Sequence, residues 1–191
     1  MIFFGDVLRL PFSGAFLLSR LPRRPATRLA FAVAPLCLLL AGCADTAAPP
    51  PPDGGLFRSM TAPGARLDAR AARDMISLYR RNHGLGDLVL DPGLMAQAQK
   101  QSDAMAARDK LSHELRGTLT ERLDHAGYEK NNAVENVSAG YDTLADVFSG
   151  WRQSPPHNAN LLAPGMKRMG IAAAYNPKTR YKVFWTLDMA N

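Results

Sequence analysis

His113 in KLSHE, Glu135 in AVENVSAG and His157 in WRQSPPHNANLL are the side chains whose types and settings could do chemistry together. Two imidazoles and a carboxylate can ligate a divalent cation such as Zn²⁺. They can also close into a hydrogen-bond network that satisfies itself, or serve as base and acid in a hydrolytic site. Glu135 raises the question most directly. It is flanked by Val134 and Val137, in a run of small and β-branched residues that favours an extended, half-buried backbone. A carboxylate in such a place is rarely buried without a partner, so the partner must come from elsewhere in the chain. Ser112 precedes His113, and Ser154 lies three residues before His157. Neither serine sits in a G-x-S-x-G elbow. Adjacent Ser112 and His113 point to opposite sides of an extended segment, and both serines fit as loop and helix-end residues. No short HxxxH spacing links the two histidines, so the three readings stay open. His83, beside Gly84, and His125, in RLDHAG, read as solvated.

The elements that must position these groups are legible along the chain. Leu67, Ala71, Met75, Leu78 and Tyr79 recur at helical steps and predict an amphipathic helix near 67–83. Asp91-Pro92 offers an N-cap and a first-turn proline for a second helix, near 92–109, with Leu94, Ala98, Met105 and Ala106 on one side. LSHELRG reads as loop. Thr118-Leu119-Thr120-Glu121 is a capping-box pattern for a brief helix through Leu123, with Gly127 as its stop. AVENVSAG reads as a strand. Leu144, Val147, Phe148 and Trp151 form a helical stripe near 143–152, which Pro155-Pro156 should break. MGIAAAY, the turn NPKT and the alternating RYKVFWTLDMA predict a hairpin over 168–189, with Trp151 and Trp185 buried. Helices early and strands late predict an α+β sandwich around an antiparallel sheet.

The first 42 residues read differently. Arg20, Arg23, Arg24 and Arg28 precede the apolar run LAFAVAPLCLLLAG, the pattern of an export signal rather than a membrane span. Leu40-Ala41-Gly42-Cys43 resembles a bacterial lipobox, which implies acylation of Cys43 and a membrane anchor. Ala44 in place of an aspartate points to the outer membrane where the envelope has two. ADTAAPPPPDGG reads as a solvated tether, giving a division into 1–42, a tether over 43–65 and a folded domain over 66–191. Without residues 1–42 the chain keeps 18 basic and 16 acidic side chains, a balance that gives no reason to expect a nucleic-acid partner. Both cysteines, Cys37 and Cys43, precede the domain, which must therefore stand without disulfides.

LVLDPGLMAQAQKQSDAMAARDKLSH, ERLDHAGY, AVENVSAG, GWRQSPPHNANLL, RMGIAAAY and YKVFWTLDMA, in this order, resemble a bacterial CAP (SCP-like) domain over roughly residues 67–190. The resemblance implies a three-layer α-β-α sandwich with a cleft lined by two histidines and two acidic residues. It places His113, Glu135 and His157 in that cleft as a metal set, with Ser112, Asn136 and Ser154 as neighbours. Two departures stand out. Ser154 replaces the second glutamate three residues after Trp151, and SPPHN replaces the common bacterial SPGHR, so Pro156 and Asn158 stand for glycine and arginine. A set of three ligands holds a metal more weakly or leaves a position open. The resemblance further implies a binding module for a lipid or a protein ligand, with the NPKT turn and the Tyr141 loop as candidate rims.

Overall fold

The computed structural model describes residues 55–125, 128 and 133–191. The elements are α1 (Ala69–Arg81), β1 (Val89–Leu90), α2 (Pro92–Arg108), α3 (Leu119–Asp124), β2 (Ala133–Ala139), α4 (Leu144–Gln153), α5 (Pro155–Leu161), β3 (Arg168–Tyr175) and β4 (Val183–Ala190). The strands form one sheet in the order β1-β3-β4-β2. β4 is antiparallel to both neighbours, and β1 runs parallel to β3, so the sheet is mixed rather than wholly antiparallel. Two residues of LVL make that parallel edge, a long-range pairing that no local pattern announces.

Every residue of β4 is buried, because the sheet is covered on both faces. Val183, Trp185, Leu187 and Met189 join Met169 and Ile171 in a core with Ala72 and Ile76 of α1, Leu144, Val147, Phe148 and Trp151 of α4, and Leu161 of α5. The alternate residues of the sheet face α2 and α3: Phe184 and Val137 pack with Met105 and Ala106, and Ala190 with Leu94 and Leu123. This is the α-β-α sandwich, in which a period-2 pattern separates two cores instead of core and solvent. Gly170, with Ala172 and Ala174 in register on β3, lets α2 approach the sheet closely. A Cβ at Gly170 would collide with the Leu94 backbone.

Local signals hold where the physics is local. Asp91 caps α2 through a 2.9 Å bond from the Leu94 N–H. Thr118 and Glu121 close a reciprocal capping box on α3, whose expected stop at Gly127 lies outside the described residues. Trp151 and Trp185 are fully buried. Three expectations need correction. Pro155-Pro156 ends α4 but also opens α5, since proline is tolerated in a helix's first turn. The buried face of α1 is Ala72, Ile76, Ser77 and Arg80; Leu67, Met75 and Tyr79 of the expected stripe pack against the same core, while Leu78 is exposed. Finally, Met60 is buried and the Leu56 carbonyl accepts from the Ala145 N–H at 2.8 Å, so chain ahead of residue 66 already packs on the domain. Among the described residues the buried core lies between Met60 and Ala190, and residues 55–191 carry a complete core of their own. Among the described residues no helix is long and apolar enough to cross a membrane.

Candidate functional site

The cleft runs along the outer edge of β2. Leu111, Ser112 and His113 line it from the loop after α2, Val137, Ser138 and Ala139 from the strand, Tyr141 from the turn beyond, and His157 from α5. Its volume is about 440 Å³. Because β2 alternates, Glu135 and Val137 face α2 and α3, while Asn136 and Ser138 face α4 and α5. The two histidines therefore reach the cleft from opposite layers of the sandwich, across one edge strand.

Glu135 is buried and holds two partners. Its Oε1 accepts from His113 Nδ1 at 2.8 Å, and its Oε2 accepts from Arg122 Nη2 at 2.7 Å. Arg122, on α3, is itself only 2% exposed, whereas the His113 side chain is 56% exposed. Asp188 lies directly across the ladder from Glu135. It is buried, and neither of its oxygens has a donor among the described side chains. Burial, reinforced by the Glu135 charge, lifts its carboxyl well above the usual range despite the opposing pull of Arg122. Wherever Asp188 carries its proton, its contact with Glu135 becomes a hydrogen bond.

The remaining cleft residues serve the other layer. His157 Nδ1 lies 2.9 Å from Ser154 Oγ, and the ring also bonds the Val137 backbone. Asn136 donates to the His157 carbonyl at 3.0 Å and accepts from Asn160 at 2.9 Å, which ties β2 to α5. Ser112 Oγ accepts from the Glu114 N–H. Ser138 Oγ bonds Trp151 Nε1 at 2.8 Å. His83 and His125 are exposed and away from this cluster.

The imidazoles are electrostatically unlike. The Glu135 hydrogen bond raises the His113 pKa above the ordinary imidazole range, with burial opposing it in part. Burial lowers that of His157, and the nearby His113 charge lowers it further. As pH falls, His113 therefore takes up its proton before His157 does. Sign follows from direction. Stabilisation from the His113–Glu135 contact is complete below the unfolded imidazole pKa and is lost as pH rises through the raised folded value. The burial of His157 instead costs stability as pH falls through the imidazole range. A proton-NMR titration is expected to place His113 above His157, and Glu135→Gln to bring the His113 value down. Equal values in the parent protein would contradict this assignment.

Glu135, a member of the Zn²⁺ set expected from the sequence, commits both oxygens, one to His113 Nδ1 and one to a guanidinium, so it orients an imidazole here, while His157 Nδ1 meets Ser154 Oγ. Among the described residues no group of three or more His, Cys, Asp or Glu is arranged to hold a metal ion. Arg122 and Asp188 are the members of the cluster that sequence patterns did not single out. Asp188 carried the same signal as Glu135, a carboxylate inside an otherwise apolar strand. Arg122 sat within a helix start that explained itself by capping.

A family model described as the cysteine-rich secretory protein family, CAP, matches residues 73–189. The chain belongs to the CAP family. A CAP relative, the uncharacterised protein YkwD of Bacillus subtilis (strain 168), is 25% identical over 100 residues, covering 51% of this chain and 39% of that protein. An extracellular protein containing an SCP domain from Bacillus anthracis str. Ames shares 25% identity at a TM-score of 0.56, over 64% of this chain and 39% of its own. An outer surface protein of Borrelia burgdorferi has the same fold, with a TM-score of 0.56 at 21% identity, over 65% of this chain and 92% of its own. This CAP domain departs from the family's description in having no cysteine.

Proposed function

We propose that this CAP domain is an exported, membrane-tethered binding module whose cleft takes a lipid-like molecule with an acidic head. The observation that carries this is the division of the cleft. Leu111, Val137, Ala139 and Tyr141 give it apolar walls, and His113 adds an imidazole held by a buried carboxylate, which favours the protonated ring. Its volume of about 440 Å³ suits a small ligand. The export signal and Cys43 supply the route and the anchor in this reading, and the extracellular and outer-surface descriptions of the B. anthracis and B. burgdorferi proteins agree with it. A Ser-His hydrolase is the second reading, on the strength of the Ser154–His157 contact. It lacks an acid on His157, because Glu135 serves the other ring.

Fluorescence titration of residues 55–191 with a fluorescent long-chain fatty acid tests the proposal. Saturable binding is expected, about tenfold weaker in His113→Gln because a charge-assisted hydrogen bond is lost. Absence of saturable binding would reject the lipid-like ligand. Turnover of a p-nitrophenyl ester that disappears in both Ser154→Ala and His157→Gln would install the hydrolase in its place.

A further inference from the structure

One end of the domain concentrates charge that the whole does not have. The hairpin tip after β3 and the chain leaving α2 meet there: Asn176 Nδ2 donates to the Ala106 carbonyl at 2.9 Å, and the Arg180 N–H donates to Asp109 Oδ2 at 2.9 Å. Together residues 108–111 and 175–182 bring Arg108, Lys110, Lys178, Arg180 and Lys182 to one surface, all exposed. Asp109, the one carboxylate within these two segments, is bound to the Arg180 backbone. Large apolar and phenolic side chains stand among the cations: Leu111 is 46% exposed, Tyr175 45% and Tyr181 37%. Tyr181 is held edge-on to Phe184, with the Arg180 guanidinium over its ring.

Domain packing does not call for this combination. The tip turns at Pro177-Lys178, and its own hydrogen bonds run through Asn176, Thr179 and the Lys182 ammonium, which donates to the Pro177 carbonyl. The Lys178 and Arg180 side chains therefore do not build the turn. Cations alone would suit any polyanion. Exposed Leu and Tyr interleaved with Lys and Arg suit an interface instead, where phenols and short apolar groups enter the headgroup region and long basic side chains reach the phosphates.

We propose that this tip, residues 108–111 with 175–182, docks on an anionic lipid surface. The inference goes beyond the cleft reading and does not depend on it, since the tip can engage a membrane whether or not the cleft holds a ligand. For a tethered domain it would fix which end meets the bilayer.

Co-sedimentation of residues 55–191, which lack Cys43 and the export signal, with phosphatidylcholine vesicles with and without phosphatidylglycerol tests it. Binding is expected only to the anionic vesicles and should fall steeply with salt. Loss of two lysines in Lys110→Ala/Lys178→Ala should weaken it about thirtyfold, from roughly 1 kcal/mol per basic residue. Tyr175→Ser, outside the cleft, should weaken it further, whereas Arg66→Ala/Arg70→Ala, which removes the same charge from exposed positions at the start of α1, should change it less than twofold. The salt titration on the unaltered domain keeps the test independent of any variant's folding. Equal weakening by both double variants, no partition onto anionic vesicles at low salt, or capture by soluble polyphosphate that exceeds vesicle binding and ignores Tyr175→Ser would each overturn the proposal.

Discussion

Replacing both buried carboxyls at once, Glu135→Gln with Asp188→Asn, is expected to destabilise the domain by about 3–5 kcal/mol, the cost of stranding a buried cation. Arg122 is that cation: it is 2% exposed, bonds Glu135 Oε2 at 2.7 Å, and leaves Nε and Nη1 without acceptors. The single variants should behave differently. Asp188→Asn puts a neutral amide of the same shape where burial disfavours a charged carboxylate, so it should be neutral or stabilising. Direction fixes its pH dependence. The folded carboxyl titrates well above the ordinary aspartate value of 3.8, so stability falls as pH rises from that value toward the folded one. The asparagine variant escapes this loss, and its advantage should grow from about pH 4 upward. Glu135→Gln alone should cost less than the double variant, because Asp188 can then ionise beside Arg122. Urea midpoints from pH 4 to 8 would show this as a non-additive cycle. If Asp188→Asn proves as damaging as the double change, the Asp188 carboxyl is not held above its ordinary range and the prediction fails.

The same cluster marks where sequence reading stops. Asp91, Thr118 with Glu121, and the stripe Leu144–Val147–Phe148–Trp151 lie within one or two turns of what they organise, and the structure keeps them as the sequence pattern has them. Glu135 is legible as a carboxylate in need of a partner, and His113 as a candidate. Arg122 is not, because its charge reaches Glu135 only after α3 docks on β2, a tertiary event with no periodic signature. Asp188 is hidden by its own alternation: Thr186, Asp188 and Ala190 look like a solvent face until α2 and α3 are laid over it. The two prolines after Ser154 signal a stop, and their second meaning as a helix start needs the neighbouring layer to give α5 something to pack on. Hydrophobic pattern locates elements well, but it cannot weigh a buried charge whose partners are far away in the chain.

Arg80 shows this most plainly, and truncating it is expected to be the most damaging single change in the domain. Its side chain is fully buried, and among the described residues no carboxylate pairs with it. Four backbone carbonyls surround it instead: Nε donates to Gly86 at 3.1 Å, Nη1 to Leu161 at 2.8 Å and Ala163 at 3.0 Å, and Nη2 to Met166 at 3.3 Å. Those carbonyls belong to the turn after α1, to the last residue of α5 and to the loop between α5 and β3, so one guanidinium ties the exit of α5 to α1. Arg80→Met fills much of the volume but leaves carbonyls to be rehydrated or orphaned, at about 1–3 kcal/mol for each that stays buried. A loss of at least about 3 kcal/mol is expected. Arg80→Lys should fall between, since a point charge with three donors cannot reproduce a planar fork aimed at four acceptors. Loosening should spread to the site, because α5 carries His157 and Asn160, whose bonds to β2 shape one wall of the cleft. Hydrogen exchange in Arg80→Lys should therefore rise in α5 and in residues 161–166 while α2 stays protected. Uniform exchange across all helices, or a midpoint shift worth less than about 1 kcal/mol in Arg80→Met, would mean that the carbonyls find other donors and that Arg80 does not position the cleft.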